Sequence, residues 1–180
     1  MIREQLKNKQ IAISGATGFL GTALVERLLR SVPDCQLILL VRPSRRLSAQ
    51  ARVEKEILKN DCFDLLRSEL GDKFLDITKD RIKTIAGDVG VDGLGLSETD
   101  REILSQCDIF VHSAASVSFD SPLDSAVETA IRWGRGVLNC SATDLIVSAT
   151  LTGPSKLTLT AESRGESKLT EAAEWTKMSH

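Results

Sequence analysis

Three glycines stand between an apolar run and a helix-like run in the segment QIAISGATGFLGTALVERLL, residues 10–29. Gly15 can take a tight turn, Gly18 carries no Cβ that would hold a phosphate away from the backbone, and Gly21 lets a helix pack close against a strand. The following helix would offer free N–H groups and a partial positive charge to phosphate. The spacing favours a pyrophosphate site of a dinucleotide. The alternative is an ordinary strand-to-helix turn.

Basic residues follow the second apolar run, QLILLV, where the adenosine ribose would lie in such a site. An acidic residue there would accept hydrogen bonds from the ribose hydroxyls, whereas a guanidinium would pair bidentately with a 2′-phosphate. The chain has Arg42, Arg45, Arg46 and Arg52, and no acid stands between Val41 and Glu54. This pattern favours NADPH over NADH, and the alternative is a solvated basic loop.

Two further residues at predicted strand ends have side chains that could do chemistry. Asp88 follows the third apolar run, where it would meet an adenine edge, or it is a loop or cap carboxylate. His112 ends the fourth run beside small residues, and we interpret it as structural rather than catalytic. The small residues 113–116 would let a cofactor lie across the strand ends, where open α/β sheets bind ligands.

The elements that must position these residues alternate between strand and helix. Predicted strands are 11–14, 36–41, 82–88 and 108–115, and predicted helices are 19–30, two pieces within 48–70, and one within 94–106. Asp61 is a candidate N-cap, Gly71 a candidate stop, and Ser97 with Asp100 a candidate capping box. The alternation predicts right-handed βαβ units and an α/β, doubly wound parallel sheet of the Rossmann type.

The composition changes beyond Thr129. All five phenylalanines lie at or before Phe119, both tryptophans come later, and Ser and Thr become dense. We therefore predict a dinucleotide-binding domain over residues 1–130 and a divergent tail over 131–180. The tail would hold one further strand, around Asp144–Ala149, and a weak helix in SKLTEAAEW, residues 167–175. With the far edge of the sheet incomplete, apolar faces would invite self-association.

The overall composition excludes several function classes. A net charge of −2 gives no reason to expect nucleic acid as a partner. The four cysteines are far apart and form no CxxC pair, which argues against a metal site and fits a reducing compartment. No segment approaches the ~20 apolar residues of a membrane span, and the first ten residues have no apolar signal core. We expect a cytoplasmic protein without a transmembrane segment.

The segments GATGFLG, LVRP, GDVGVDGLGLSETDREIL and CDIFVHSAASVSFDSPLDSAVET together resemble the Rossmann domain of the fatty acyl-CoA reductases. Those are extended short-chain dehydrogenase/reductases related to thioester reductase domains, and the resemblance covers about Lys9 to Thr129. It implies NADPH-dependent reduction of a fatty acyl-CoA to aldehyde or alcohol. It also assigns the NADP(H) contacts by position. They are Gly15, Thr17, Gly18, Phe19, Leu20 and Gly21 for pyrophosphate, Arg42 and Arg52 for the ribose phosphate, Asp88 and Val89 for adenine, and Ala114 and Ala115 for ribose.

The chain departs from that family after Thr129. The family continues with a Tyr-x-x-x-Lys pair, in which the tyrosine donates a proton to the reduced carbonyl, and this chain contains no tyrosine. Two alignments of the tail remain open: LIVSAT as a fifth strand with Ser148 or Thr150 near the hydroxyl position, or LTGPSKL as a displaced helix start. We name no catalytic residue. The alternatives to an active reductase are a truncated or frame-shifted remnant that only binds nucleotide and an NADPH-sensing module.

Overall fold

The computed structural model describes residues 2–114 and the backbone of three later strands, residues 145–151, 157–163 and 166–170. The strands are β1 (Gln10–Ser14), β2 (Gln36–Val41), β3 (Ile82–Ala86), β4 (Ile109–His112), β5 (Leu145–Leu151), β6 (Leu157–Ser163) and β7 (Glu166–Thr170). The α-helices are α1 (Ile2–Gln5), α2 (Phe19–Ser31), α3 (Ala49–Arg52), α4 (Asp64–Leu70), α5 (Phe74–Arg81) and α6 (Glu98–Ser105). A π-helical turn, Val53–Ile57, continues α3. Short 3-10 turns lie at Asp61–Phe63, Gly71–Lys73 and Asp92–Gly95.

The strands form one sheet in the order β3-β2-β1-β4-β5-β6-β7. Strands β1 to β5 are parallel, while β6 and β7 run antiparallel to their neighbours. The chain moves outward from β1 to β3 and then returns to place β4 on the other side of β1. This reversal makes the carboxyl ends of β1 and β4 a topological switch point, where sheets of this kind bind ligands.

Both faces of the sheet are covered, as the alternation of strands and helices predicts. Consecutive residues of β2 enter different cores: Leu37 and Leu39 pack with α2 and the π-helical turn, whereas Ile38 and Leu40 pack with Leu104 of α6. A strand that is buried on both faces reads as a continuous apolar run. The predicted α/β doubly wound fold is therefore confirmed.

The buried Arg81 fixes the far end of α2. Its guanidinium donates hydrogen bonds to the carbonyl oxygens of Leu29, Val32 and Cys35, at 2.7, 2.6 and 3.2 Å. The last carbonyls of a helix lack intrahelical partners and carry a partial negative charge, so a cation there both satisfies and stabilises them. Because Arg81 ends α5 just before β3, it attaches the C-terminal end of α2 to the junction of α5 and β3.

Several predicted boundaries differ from the observed ones. The side chain that caps the turn at residues 61–63 belongs to Asn60, whose oxygen accepts a hydrogen bond from Cys62 N, so the prediction of Asp61 as the cap was wrong. Gly71 ends α4 with a φ of 53°, and Ser97 caps α6 by accepting from Asp100 N, as predicted. Helix α5 was not predicted, because two of its three buried residues, Thr78 and Arg81, are polar and give no apolar periodicity.

The tail contains more strand than the sequence pattern predicts. Strand β5 confirms the further strand, but β6 was missed and residues 166–170 form β7 where the weak helix was expected. The sequence LTLTA of β6 has the period-2 alternation of a strand, which the high Ser and Thr content masks. The domain boundary at residue 130 stays a prediction, since it lies outside the described residues.

Candidate functional site

The glycine loop begins where β1 ends and lies against the end of β4. Gly15 has a φ of 74°, in the left-handed region, and a Cβ at this position would lie 2.4 Å from the backbone nitrogen of Ala114. Ser113 N and Ser113 Oγ both donate to the carbonyl oxygen of Ser14, at 3.1 and 2.8 Å. The loop and the exit of β4 therefore form one rigid edge, and only glycine fits at position 15.

Gly21 and Gly18 differ in what surrounds them. A Cβ on Gly21 would lie 2.2 Å from the carbonyl oxygen of Gly15, so this glycine allows α2 to pack against the loop. A Cβ on Gly18 would meet only that same oxygen, at 3.3 Å, and otherwise open space. Gly18 is exposed, and its missing side chain leaves open space above the loop, here termed the hollow.

The N-terminus of α2 opens into this hollow. Gly18 is the N-cap residue and supplies no side-chain hydrogen bond to the helix, while the first backbone bond runs from Thr22 N to Gly18 O at 2.9 Å. The N–H groups of Phe19, Leu20 and Gly21 precede that bond, and such groups with the helix dipole bind phosphate. The hollow and the donors fit the pyrophosphate of a dinucleotide.

Arg42 and Asp88 meet at the carboxyl ends of β2 and β3. One guanidinium nitrogen of Arg42 lies 3.6 Å from Asp88 Oδ2, and 70% of the Arg42 side chain is exposed. The other carboxylate oxygen of Asp88 accepts a hydrogen bond from Gly90 N at 2.9 Å. Val89 is partly buried against the core beside α6. The long, exposed ion pair leaves the Arg42 guanidinium accessible to an anion.

Arg52 lies between the glycine loop and the end of β2. Its Nε and Nη2 atoms bind the two carboxylate oxygens of Glu56 at 2.9 and 2.6 Å, and Nη1 donates to the carbonyl oxygen of Arg42 at 2.7 Å. Nη2 also lies 3.5 Å from Thr17 Oγ1. Arg52 therefore contacts both the glycine loop and the end of β2, and its charge is matched by that of Glu56.

His112 and Ser14 pair at the switch point. Ser14 Oγ and His112 Nδ1 share a hydrogen bond of 2.7 Å, and both residues are buried. Burial lowers the pKa of His112 to about 4, because the charged imidazolium would lose its hydration. A neutral imidazole at pH 7 joins β1 to β4, in agreement with the structural role interpreted from the sequence.

We expect His112 to make the protein acid-sensitive. A histidine whose pKa is about 4 in the folded state and 6.5 when unfolded favours the unfolded chain as the pH falls through that interval. Between pH 7 and pH 5 the free energy of unfolding should fall by about 2 kcal/mol more in the wild type than in His112→Gln. Urea denaturation at both pH values measures this difference, and parallel losses in the two proteins would contradict it.

The structure brings most of the predicted site residues to one edge of the sheet. The glycine loop, with Thr17, Phe19 and Leu20, lies beside Ala114, and the rim holds Arg42, Arg52, Asp88 and Val89. Ala115 lies outside the described residues. Ser14 and Glu56 were not predicted as site residues, although the four-residue spacing of Arg52 and Glu56 on a helix was a usable signal.

Comparisons with known proteins agree with this geometry. A family model of an NAD-binding domain, described as "Male sterility protein", matches residues 13–170. Fatty acyl-CoA reductase 1 of Arabidopsis thaliana is 39% identical over 123 residues, covering 66% of this chain and 25% of the relative. Fatty acyl-CoA reductase 1 of Mus musculus is 40% identical over 129 residues, covering 71% and 24%. The chain thus spans about a quarter of the length of these curated relatives.

Two solved structures share the fold. The terminal R domain from the myxalamid PKS-NRPS biosynthetic pathway has a TM-score of 0.56 at 32% identity, covering 74% of this chain and 32% of that one. The reductase domain of a non-ribosomal peptide synthetase from Mycobacterium tuberculosis has a TM-score of 0.57 at 30% identity, covering 79% of this chain and 33% of that one.

In the described part of the chain, no helix has the length and apolarity to cross a membrane.

The matched region begins inside β1, includes the whole glycine loop and extends into β7, and the similar reductases support a nicotinamide dinucleotide as the cofactor. The chain belongs to the male sterility protein family of NAD-binding domains, and its similarity to fatty acyl-CoA reductases confirms the resemblance found in the sequence.

Proposed function

We propose that this chain is the NADP(H)-binding Rossmann domain of a fatty acyl-CoA reductase. The observation that carries the proposal is the hollow above Gly18, which opens onto the uncapped N-terminus of α2. The bound dinucleotide would supply hydride for reduction of an acyl thioester to aldehyde or alcohol. A cytoplasmic location and a role in lipid metabolism belong to the same proposal.

Different residues at this edge of the sheet would contact different parts of the cofactor. The backbone of the Gly15–Gly21 loop, with the Thr17 hydroxyl, binds and orients the pyrophosphate, and Phe19 and Leu20 contribute their N–H groups. Asp88 and Val89 lie where the adenine edge would contact the protein. Ala114, which has a small side chain, would face the cofactor's ribose without obstructing it, and the family resemblance assigns Ala115 to the same contact.

Arg42 supports NADP(H) over NAD(H). Its guanidinium is exposed at the end of β2 and, among the residues that the structure describes, forms a 3.6 Å ion pair with Asp88. A 2′-phosphate carries more charge than that carboxylate and matches the fork of an arginine bidentately. We therefore assign the discrimination between the two cofactors to Arg42.

We expect Arg42→Ala to weaken NADPH binding much more than NADH binding. The lost charge-assisted contact should cost about 1.5–3 kcal/mol for NADPH, or roughly 10- to 150-fold in Kd. Isothermal titration calorimetry of both cofactors measures the difference. Arg27→Ala is the matched control, because Arg27 is an exposed arginine on α2, about two turns from the N-terminus of that helix. Equal losses for both cofactors in Arg42→Ala would mean that the basic loop is only solvated surface.

A second candidate function, nucleotide binding without catalysis, is favoured by the tail. Strand β6 pairs antiparallel with β5 over Leu145–Leu151, and only residues 152–156 separate the two strands. A parallel sheet that continued past β5 would need a crossover of a dozen or more residues, usually with a helix. Five residues leave no room for a helix there that carries a Tyr-x-x-x-Lys pair, and the chain has no tyrosine.

A further inference from the structure

Residues 93–95 form a left-handed turn. The φ angles of Gly93, Leu94 and Gly95 are 62°, 61° and 60°. Glycine adopts this conformation freely, whereas leucine rarely does, because its Cβ comes too close to the following carbonyl oxygen. Among the described residues, the other non-glycine residue with a positive φ is Asn8, and asparagine tolerates this region. The backbone of Leu94 is therefore strained, and other interactions must hold it in place.

The side chain of Leu94 supplies one of these interactions. It is 0% exposed and lies in the core that also contains Leu40 of β2, Ile85 of β3 and Leu104 of α6. Burial of a leucine side chain removes a large apolar surface from water, which offsets the unfavourable backbone conformation. A glycine at this position would adopt the turn without strain but would leave that part of the core empty.

The backbone of Leu94 determines where Asp88 lies. The carbonyl oxygen of Leu94 accepts a hydrogen bond from Asp88 N at 2.8 Å. Leu94 N donates to Val91 O at 3.0 Å, and Val91 N donates to Asp88 O at 3.1 Å, so backbone hydrogen bonds close the segment between Asp88 and Leu94. A Cβ on Gly87 would lie 2.8 Å from the same oxygen of Leu94. The end of β3 is thus packed tightly against Leu94.

The side chain of Asp88 extends from the backbone that this turn fixes. One carboxylate oxygen accepts a hydrogen bond from Gly90 N at 2.9 Å, and the other lies 3.6 Å from the guanidinium of Arg42. Val89, the next residue, is partly buried against the same core as Leu94. Both residues that would contact adenine are therefore connected to Leu94, Asp88 through a hydrogen bond and Val89 through the core.

Resting on the function proposed above, we propose that Leu94 is a positioning residue for the adenine end of the cofactor. Its buried side chain holds the left-handed turn, and the turn fixes Asp88 and Val89 in the free protein. Because Leu94 is fully buried, it acts through these two residues rather than by contact with the cofactor. A segment that is ordered before binding raises affinity, because less conformational entropy is lost when the ligand binds.

The test is Leu94→Ala, with Leu104→Ala as the matched control. Both leucines are 0% exposed in the same core, but Leu104 lies on α6, outside the turn. Both variants should lower the melting temperature, because each removes the same side chain from the core. We expect Leu94→Ala to raise Kd for NADPH and for NADH by roughly tenfold, and Leu104→Ala to change each by less than about twofold. Equal rises in the two variants, or no rise in Leu94→Ala, would overturn the proposal.

Adenosine 2′,5′-bisphosphate locates the loss within the cofactor. This compound contains the adenine and the 2′-phosphate of NADPH but not its nicotinamide half. Leu94→Ala should weaken binding of the compound by the same factor as binding of NADPH, because the turn acts on the adenine end. A loss for NADPH that the compound does not share would place the effect elsewhere in the site and contradict the positioning role.

Hydrogen exchange of the unliganded protein tests the attachment without any cofactor. In Leu94→Ala the Asp88 amide should accelerate by a larger factor than the amides of β1, because no buried leucine holds its acceptor in place. In Leu104→Ala the two sets of amides should change by the same factor. A uniform change in Leu94→Ala would overturn the positioning role. If the wild type bound neither NADPH nor NADH, the proposed function would fail, while the exchange result would still decide whether Leu94 fixes Asp88.

Leu94→Val and Leu104→Val repeat the comparison if an alanine variant does not fold. Each change removes one methylene group, but a β-branched residue is strongly disfavoured in the left-handed turn and only slightly disfavoured in a helix. We expect faster exchange of the Asp88 amide and a higher Kd in Leu94→Val, and neither effect in Leu104→Val. Identical behaviour of the two valine variants would show that Leu94 is an ordinary core residue.

Discussion

Gly18→Val should abolish dinucleotide binding while leaving the fold intact. The backbone of Gly18 has φ −83° and ψ 166°, an extended conformation that a β-branched residue adopts readily. The new Cβ would meet only Gly15 O, at 3.3 Å, so a shift of a few tenths of an ångström accommodates it. The two methyl groups would then project toward the hollow above the loop and displace the pyrophosphate from the N–H groups of α2.

The expected loss is at least about 100-fold in Kd, or about 2.7 kcal/mol, for both NADPH and NADH in calorimetry. Gly18→Ala should give a smaller loss, because a single methyl group occupies less of the hollow. A melting temperature close to that of the wild type would show that the fold is intact. Unchanged affinity in a folded Gly18→Val protein would place the dinucleotide elsewhere.

Gly15 and Gly21 differ from Gly18 in the space available for a side chain. A Cβ on Gly21 would lie 2.2 Å from Gly15 O, and one on Gly15 would lie 2.4 Å from Ala114 N. Both contacts are with backbone atoms, which cannot move aside without shifting α2 or β4. Substitutions there report on packing, whereas position 18 reports on the ligand.

The glycine loop could be predicted from the sequence, because each of its glycines is required by the backbone conformation or by a close contact at that position. The fold could be predicted from the alternation of strands and helices. The continuous apolar runs of β1 and β2 predicted buried parallel strands, because a strand that is covered on both faces is apolar at consecutive positions. The sequence pattern placed Arg42 after the second strand and Asp88 after the third, and the structure shows that these two strands are neighbours and that the two side chains form an ion pair.

Other features depend on partners that are distant in sequence. The burial of Arg81 requires the carbonyls at the end of α2, which lie about fifty residues earlier. Strand β6 pairs with the edge of β5, and β7 pairs with the edge of β6, so the formation of both strands depends on the edge available to each as well as on local sequence. The contact of Arg52 with Thr17 spans 35 residues, and only its pairing with Glu56 was visible in the spacing.

This chain by itself should not reduce acyl thioesters at an enzymatic rate, although we propose that it binds the cofactor. Reduction of a thioester carbonyl places negative charge on the oxygen, which a protein group must stabilise and protonate. A positioned proton donor typically contributes a factor of ~10²–10⁴, and a fixed hydrogen-bond donor to the oxygen adds to it. No tyrosine is available for these roles.

The hydroxyls of Ser148 and Thr150 would be poor substitutes for a tyrosine. Ser148 of β5 is in register with His112 of β4, so it lies near the switch point, and Thr150 lies two residues further along the strand. An aliphatic hydroxyl is a much weaker acid than the phenol of a tyrosine. His112 has a pKa of about 4 and is therefore neutral at pH 7, so no imidazolium is available there to donate a proton. We therefore expect none of these three residues to replace the proton donor.

The measurement is NADPH oxidation by the purified chain with long-chain acyl-CoA substrates, with aldehyde and alcohol analysed directly. Calorimetric binding of NADPH to the same preparation is the necessary control, because a chain that binds no cofactor would be inactive for a different reason. We expect binding without sustained turnover. Turnover above ~1 s⁻¹, the low end of typical enzymes, would refute the prediction. It would require a proton donor among the residues present, and Ser148→Ala and Thr150→Ala would then identify which hydroxyl acts.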